Sequence, residues 1–368
     1  VLAAAAGFPE AERLSEQGEE LLIEACAKQF LPDGGHLSRA PEALAEALCD
    51  LVAAHDALPE ASPPIQDAVG KLANMLRMLR LGDGGLACFH GGSEGSAASI
   101  DAALARAHGE VRAFQFANHS AFQRLEAGPL RVVFDVGGAP PASYSDRAHA
   151  SALAFELSSE GERLIVNVGC ARELEPAGRM AARATNAHST LVLADALSAT
   201  FEEPRRGKGP ARLAGPAMDD VRRSSDESGI TVQGRHDGYR ERLGLLHRRY
   251  LFVDHEGKNL RGIDELMRPV REKRTLVKKP IPFVARFHLH PSVRARVIEH
   301  QMALLETPGG QRWRLRTDAP EIAIEPSIYW GGAIVPQESL QIVLSGAADP
   351  MGHGLAPPNR IRWALARA

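Results

Sequence analysis

The chain predicts an α+β multidomain protein, α-helical over residues 1–110 and an antiparallel β-sandwich over 111–368. Two observations carry that expectation. Apolar residues recur at helical spacing through the first part of the chain. From about residue 112 they recur instead in short alternating runs, separated by turns rich in Gly and Pro. With 368 residues, 44% hydrophobic and 24% charged, the chain has a globular composition and enough length for two domains.

The helical part divides at its breakers. Residues 10–30 set Leu14, Leu21, Leu22, Ala25 and Cys26 at helical spacing, and the run LPDGG at 31–35 stops them. Pro41 opens a second helix, with Leu44, Ala47, Leu48, Leu51 and Val52 as its apolar stripe. Pro63 and Pro64 open a third, carrying Ile65, Val69, Leu72, Met75, Leu76 and Leu79. Its methionines read as core filling. Antiparallel helices joined by Gly/Pro loops fit an α/α toroid or a bundle. The glycine-rich run 81–96 lacks the GxxxxGK[ST] order and follows no clear strand. Its glycines suit a sharp turn, or a backbone that approaches a ligand closely. No internal repeat is read from the sequence.

Strands are expected in VRAFQFAN, FQRLEAG and LRVVFDVGG, and again near 230–233, 243–253, 283–289, 311–316, 322–324 and 340–344. The Pro/Gly/Arg-rich segment 202–215 reads as an exposed loop. The central stretch is 147–170, read as two strands around a turn at 158–161. In the first, His149, Ser151, Leu153, Phe155 and Leu157 alternate onto one face. In the second, Asn167 lies beside Ile165. A third strand is expected to place Asn186, His188, Thr190 and Val192 on one face. His149, Asn167 and His188 then form either a hydrogen-bonded core cluster or a metal site.

The net charge of −3 gives no footprint for nucleic acid, although a local arginine cluster still suits an anionic sugar. Cys26, Cys49, Cys88 and Cys170 are widely spaced, which implies neither a zinc finger nor a disulfide framework. No apolar run is long enough to span a membrane. Val1 is not a natural start and no signal peptide is visible, so first residues are expected upstream. The compartment stays open between periplasm and cytoplasm, and the oligomeric state is not legible.

The blocks HASALAFELSSEGERLIVNVG, RATNAHSTLVL, HDGY and FHLHP occur in this order. Together they resemble the C-terminal β-domain of the heparinase II/III family of polysaccharide lyases, over roughly residues 128–368, with the helical part more loosely similar. The resemblance implies an incomplete α/α toroid ahead of the β-sandwich. It also implies cleavage of an acidic, uronate-containing polysaccharide or oligosaccharide by β-elimination, without an organic cofactor. The alternative is a catalytically degenerate carbohydrate-binding protein in exopolysaccharide handling.

Carried residue by residue, the resemblance puts His149 and His188 at the family's metal-binding histidines and Asn167 at its aspartate, implying a structural zinc. Arg147 stands where the family has its catalytic histidine. It cannot act as a base at neutral pH but can clamp a carboxylate. Ala43 stands where a catalytic tyrosine is expected, and the carboxylate-neutralising residue would lie upstream of Val1. Tyr239, in the HDGY block with His236, is the remaining phenol, with a structural role as its alternative. His36, a candidate catalytic group, and Arg39, an expected substrate contact, follow a Gly-Gly turn and are expected to face the groove, and His236 is a further expected substrate contact. His90 and Glu94 of the glycine-rich loop, and His119 and Arg124 at the domain junction, are expected sugar contacts. His288 and His290 share a face, and here the resemblance points to β-sandwich structure rather than metal.

Overall fold

The computed structural model describes residues 11–58, 61–107, 111, 114–170, 175–203, 209–270, 277–332, 335–352 and 354–368. Glu10, residues 112–113 of the first expected strand and 204–208 of the expected loop lie outside them.

Among the described residues four helices come first: α1 (Ala11–Gln29), α2 (Pro41–Ala57), α3 (Pro63–Leu79) and α4 (Ala97–Arg106). Prolines open α2 and α3, where a missing N–H costs nothing, and Ser96 caps α4 by accepting from the Ser99 N–H. Leu44, Leu48, Ile65, Met75 and Leu76 are fully buried between them.

The turns after α1 and α3 are the same device. Leu31 N–H donates to Gly35 O and Gly34 N–H to Leu31 O; Leu81 and Gly85, with Gly84, repeat the pattern. In each, the aspartate accepts from the second glycine, Asp33 from Gly35 and Asp83 from Gly85. The first glycine sits at φ +85 in both. A Cβ at Gly34 would lie 2.3 Å from Lys71 O, so only glycine fits. This Leu-x-Asp-Gly-Gly repeat corrects the expectation of no internal repeat. Both aspartates also reach the sheet, Asp33 at the turn between its first two strands and Asp83 at a strand. Asp33 accepts from the backbone N–H groups of His119 and Ser120, and Asp83 from the Arg163 guanidinium.

The remainder is antiparallel β-structure. One sheet runs β1 (Phe116–Ala117), β2 (Phe122–Ala127), β3 (Leu130–Asp135), β4 (Phe155–Ser159), β5 (Glu162–Val166), β13 (Ile281–Leu289), β18 (Gln337–Ala348) and β17 (Glu321–Tyr329), with β6 (Leu191–Leu193) also on β13. The other runs β14 (Arg294–Glu299), β15 (Met302–Glu306), β16 (Arg312–Thr317), β19 (Arg360–Arg367), β12 (Asn259–Met267), β11 (Leu246–Asp254), β10 (Gly229–His236) and β9 (Met218–Asp226). Two short helices, α5 (Pro176–Arg183) and α6 (Arg240–Leu243), interrupt the strands.

The inner faces of the two sheets share one apolar core. Phe155 of β4 stacks on Trp363 of β19 with centroids 5.6 Å apart. The helices have their own core, and it continues into the first sheet through Phe122 and Val133 and to Ala154 just ahead of β4. No helix among the described residues is long and apolar enough to cross a membrane.

Three local expectations are corrected. The strand expected from residue 149 begins only at Phe155, because Leu153 takes φ +58 and breaks the alternation. The strand expected at 186–192 starts at Leu191, after a 3-10 turn at Thr185–Ala187 that leaves Asn186 exposed. Finally, the expected loop at 202–215 holds the second strand of a small ladder, β7 (Thr200–Glu202) with β8 (Arg212–Ala214).

Candidate functional site

Arg147 follows a 3-10 turn at Ala142–Tyr144 and is exposed where two cavities meet. The smaller, about 180 Å³, is lined by His36, Ala43 and Glu46 from the helical side and by Tyr144, Asp146 and Arg147 from the β side. The larger, about 720 Å³, continues past Arg147 to Cys170, Arg179 and Met180. Among the described residues the Arg147 guanidinium makes no hydrogen bond and no ion pair.

His36 and Tyr144 meet edge to face across the smaller cavity, 5.7 Å between centroids. His36 Nδ1 accepts from the Ser38 N–H at 3.1 Å, so the neutral ring carries its proton on Nε2. Burial lowers its pKa from the usual value, against the raising influence of Glu46. Tyr144 was not singled out in the sequence. It sits in a short turn after two prolines, where no periodicity marks it.

Beneath this cleft lies an ionic lock. Arg39, at φ +59 and almost fully buried, donates to Asp135 of β3, to Ser120 O (2.8 Å) and to Gly138 O (2.7 Å), and contacts His90 Nε2 at 3.0 Å. Asp135 also accepts from Ser151 (2.8 Å). Burial raises the Asp135 carboxyl, but Arg39 and His90 more than offset it and hold it well below the carboxylate range. Arg39 and His90 therefore join the helices to the sheet, with His90 also on the cavity wall.

The other expected contacts are structural in their surroundings. Arg124 is buried and donates to Met78 O and Arg80 O. Glu94 accepts from the Tyr329 hydroxyl and lies 3.6 Å from His290 and 3.5 Å from Arg163. Burial raises its carboxyl, while these partners bring it down to about 2. His119 is exposed, but lines neither cavity. Tyr239 and His236 correct the expectation of a groove-facing HDGY block. Tyr239 is fully buried and donates to Leu191 O at 2.7 Å, and His236 is buried against His247 at 3.2 Å. A phenol enclosed in the core has no face to offer a polymer.

His149 and His188 do meet. His188 Nδ1 donates to Ala184 O (2.9 Å), so its Nε2 accepts from His149 Nδ1 at 3.0 Å. Burial lowers both, His188 to about 3, so the rings are neutral. His149 Nε2 is left buried without a hydrogen-bond partner. That orphaned lone pair suits a metal, but the donor set is incomplete. The Asn167 amide donates to Cys88 O (3.2 Å) and accepts from the Ser189 N–H (2.9 Å). Among the described residues no three His, Cys, Asp or Glu side chains gather closely enough to hold an ion. His288 is tied separately, to Ser327 Oγ and Asn186 O.

Helices packed over antiparallel sheets, with the exposed Arg147 where two cavities meet, are the frame for comparison with known proteins. Residues 109–364 match the heparinase II/III-like C-terminal family, and the chain belongs to it. It is 34% identical over 383 residues to FtsZ-localized protein C of Caulobacter vibrioides, covering all of this chain and 65% of that protein. The fold matches a heparinase III, the BT4657 gene product, with a TM-score of 0.76 at 14% identity, over all of this chain and 57% of that one. It also matches the heparan sulfate lyase HepC of Pedobacter heparinus, with a TM-score of 0.73 at 13% identity, over all of this chain and 58% of that one. The chain thus spans less than two thirds of the length of these relatives.

Proposed function

We propose that this chain is a polysaccharide lyase-like protein that takes an acidic, uronate-containing glycan along the cleft at Arg147. The observation that carries the reading is the Arg147 guanidinium, exposed between two cavities with no partner among the described residues. Its planar fork suits a carboxylate bidentately. In β-elimination a base takes the C5 proton and the C4–O bond breaks as the C4=C5 bond forms. An acid then protonates the leaving oxygen. Arg147 would neutralise the C5 carboxylate, and that neutralisation makes the C5 proton acidic, while the Tyr144 phenol would serve the leaving oxygen.

The second reading is a degenerate glycan-binding protein. What supports it is the want of a base: Ser38 donates to the His36 lone pair, and the resemblance to the family puts Ala43 and Arg147 where its acid and base are expected. Ultraviolet absorbance of unsaturated uronate, measured beside calorimetric binding of uronate oligosaccharides, decides between the two. Product supports the lyase, and binding without product supports the degenerate form. Absence of both product and binding overturns both readings.

In this proposal the helices are part of an incomplete α/α toroid and the two sheets are a sandwich, with a domain boundary near residue 110. The repeated Asp-Gly-Gly turn and the shared inter-sheet core support it. The buried imidazoles are read as a hydrogen-bonded pair. Stoichiometric zinc by elemental analysis would replace that reading with His149, His188 and Asn167 as ligands. The identity to a protein named for localisation to FtsZ supports a place alongside FtsZ, which co-localisation with FtsZ tests.

A further inference from the structure

Helix α5 has two occupied faces. Pro176, Arg179, Met180 and Arg183, spaced three, one and three apart, line the larger cavity at Arg147. Gly178, Ala181 and Ala182 line a separate pocket of about 470 Å³ on the other side. Its floor is buried and apolar, with Val168, Ala182 and Ala187. Its rim carries Asn186, Ser327, Gln341 and the indole of Trp330. The volume lies within the roughly 300–1,000 Å³ of small-molecule sites.

Two rim groups are open. Trp330 is half-buried, and its indole N–H makes no hydrogen bond and its ring no aromatic contact among the described residues. A tryptophan in such a hollow ordinarily finds a partner for that N–H. The exposed Asn186 side chain is likewise without one among the described residues. Ser327 and Gln341 are already engaged, with His288 and with Arg286 and Pro326. Among the described residues no Asp, Glu, Lys or Arg lines the pocket. His288 at its wall is neutral, because burial brings it down to about 4.

We propose that this pocket is a binding site for an uncharged pyranose unit, with its C–H face on Trp330 and its hydroxyls on the Trp330 N–H and the Asn186 amide. The pocket's neutrality separates it from the arginine-bearing cleft across α5, which suits acidic units. An apolar peptide side chain would fill the floor but leave both rim groups unmatched, and a charged sugar would find no counter-ion among the described lining residues.

The protein carries its own reporter. Of its three tryptophans, Trp313 and Trp363 are 0% and 2% exposed, so Trp330 is the one a surface ligand touches. Tryptophan emission is titrated with cellohexaose, maltohexaose and chitohexaose, with N-acetyl-leucinamide as the apolar control. At least one neutral oligosaccharide is expected to change the emission saturably. Asn186→Ala, at an exposed position and with Trp330 intact, should weaken that response about tenfold. Trp330→Ala should abolish binding of the same sugar by calorimetry. The proposal is overturned if none of the three sugars gives a saturable change, if leucinamide reproduces it, or if Asn186→Ala leaves it unaltered.

Discussion

Glu156 should make the fold lose stability as pH rises, and Glu156→Gln should remove the effect. Its side chain is fully buried on β4. Oε1 accepts from the Asn167 N–H at 2.8 Å, while Oε2 has no hydrogen-bond partner and lies 3.6 Å from the Arg163 guanidinium. Burial raises the carboxyl from 4.5 to about 7; Arg163, shared with Asp83, offsets only part of this. A carboxyl raised in the folded state contributes stability that is full below pH 4.5 and lost as pH rises through about 7. That difference corresponds to about 3 kcal/mol. Glutamine keeps the acceptor for Asn167 and cannot titrate. Urea denaturation followed by circular dichroism, over a series of pH values, should show the two stabilities diverging as pH rises. The variant should gain about 3 kcal/mol relative to the parent across the window. Parallel curves would refute the reasoning and mean that Glu156 is already solvated or ionised within the fold.

Arg147→Lys should weaken uronate-oligosaccharide binding about fivefold with little change in melting temperature, because the charge stays and the fork is lost; equal calorimetric affinity would make Arg147 mere surface. Parent binding should also fall as salt is added. Tyr239→Phe should cost about 1–2 kcal/mol by leaving Leu191 O without its donor, and should leave glycan affinity alone. Asp135→Asn should cost about 3–5 kcal/mol, since it strands the buried Arg39 charge. Because Asp135 is held below the carboxylate range, its contribution is present above the ordinary value of 3.8 and lost as pH falls below it. Acid denaturation of parent and variant should therefore converge.

The helices were legible because Leu44, Leu48, Leu51 and Val52 repeat at one spacing and prolines mark the starts. The strands were legible from alternation, as in β11, where Leu251 and Val253 are buried between less buried neighbours. The same strand shows the limit. His247 and Arg249 occupy inward positions too, and the sequence cannot say that Asp264 and the Trp363 N–H accompany them there. His149 was placed in the right neighbourhood for an incomplete reason. Alternation would have carried it on a strand, but the loop before Leu153 brings it to His188 instead. Cleft residues on irregular backbone, Tyr144 above all, carry no periodic signature. The Leu-x-Asp-Gly-Gly repeat was written in the sequence, and only its matching hydrogen bonds reveal it as one device.

The two Asp-Gly-Gly turns have a consequence for how this architecture can be inherited. Each aspartate closes its own turn and also fastens onto the sheet, Asp33 at the turn between β1 and β2 and Asp83 at β5, and Phe122, Val133 and Ala154 rest under the helices. Strip the helices away and two backbone amides and the Arg163 guanidinium lose their acceptor, just as an apolar stretch of sheet is laid bare. Neither half is an interchangeable cassette. Recombination that preserves one must bring the other along, and the whole should melt in a single cooperative step.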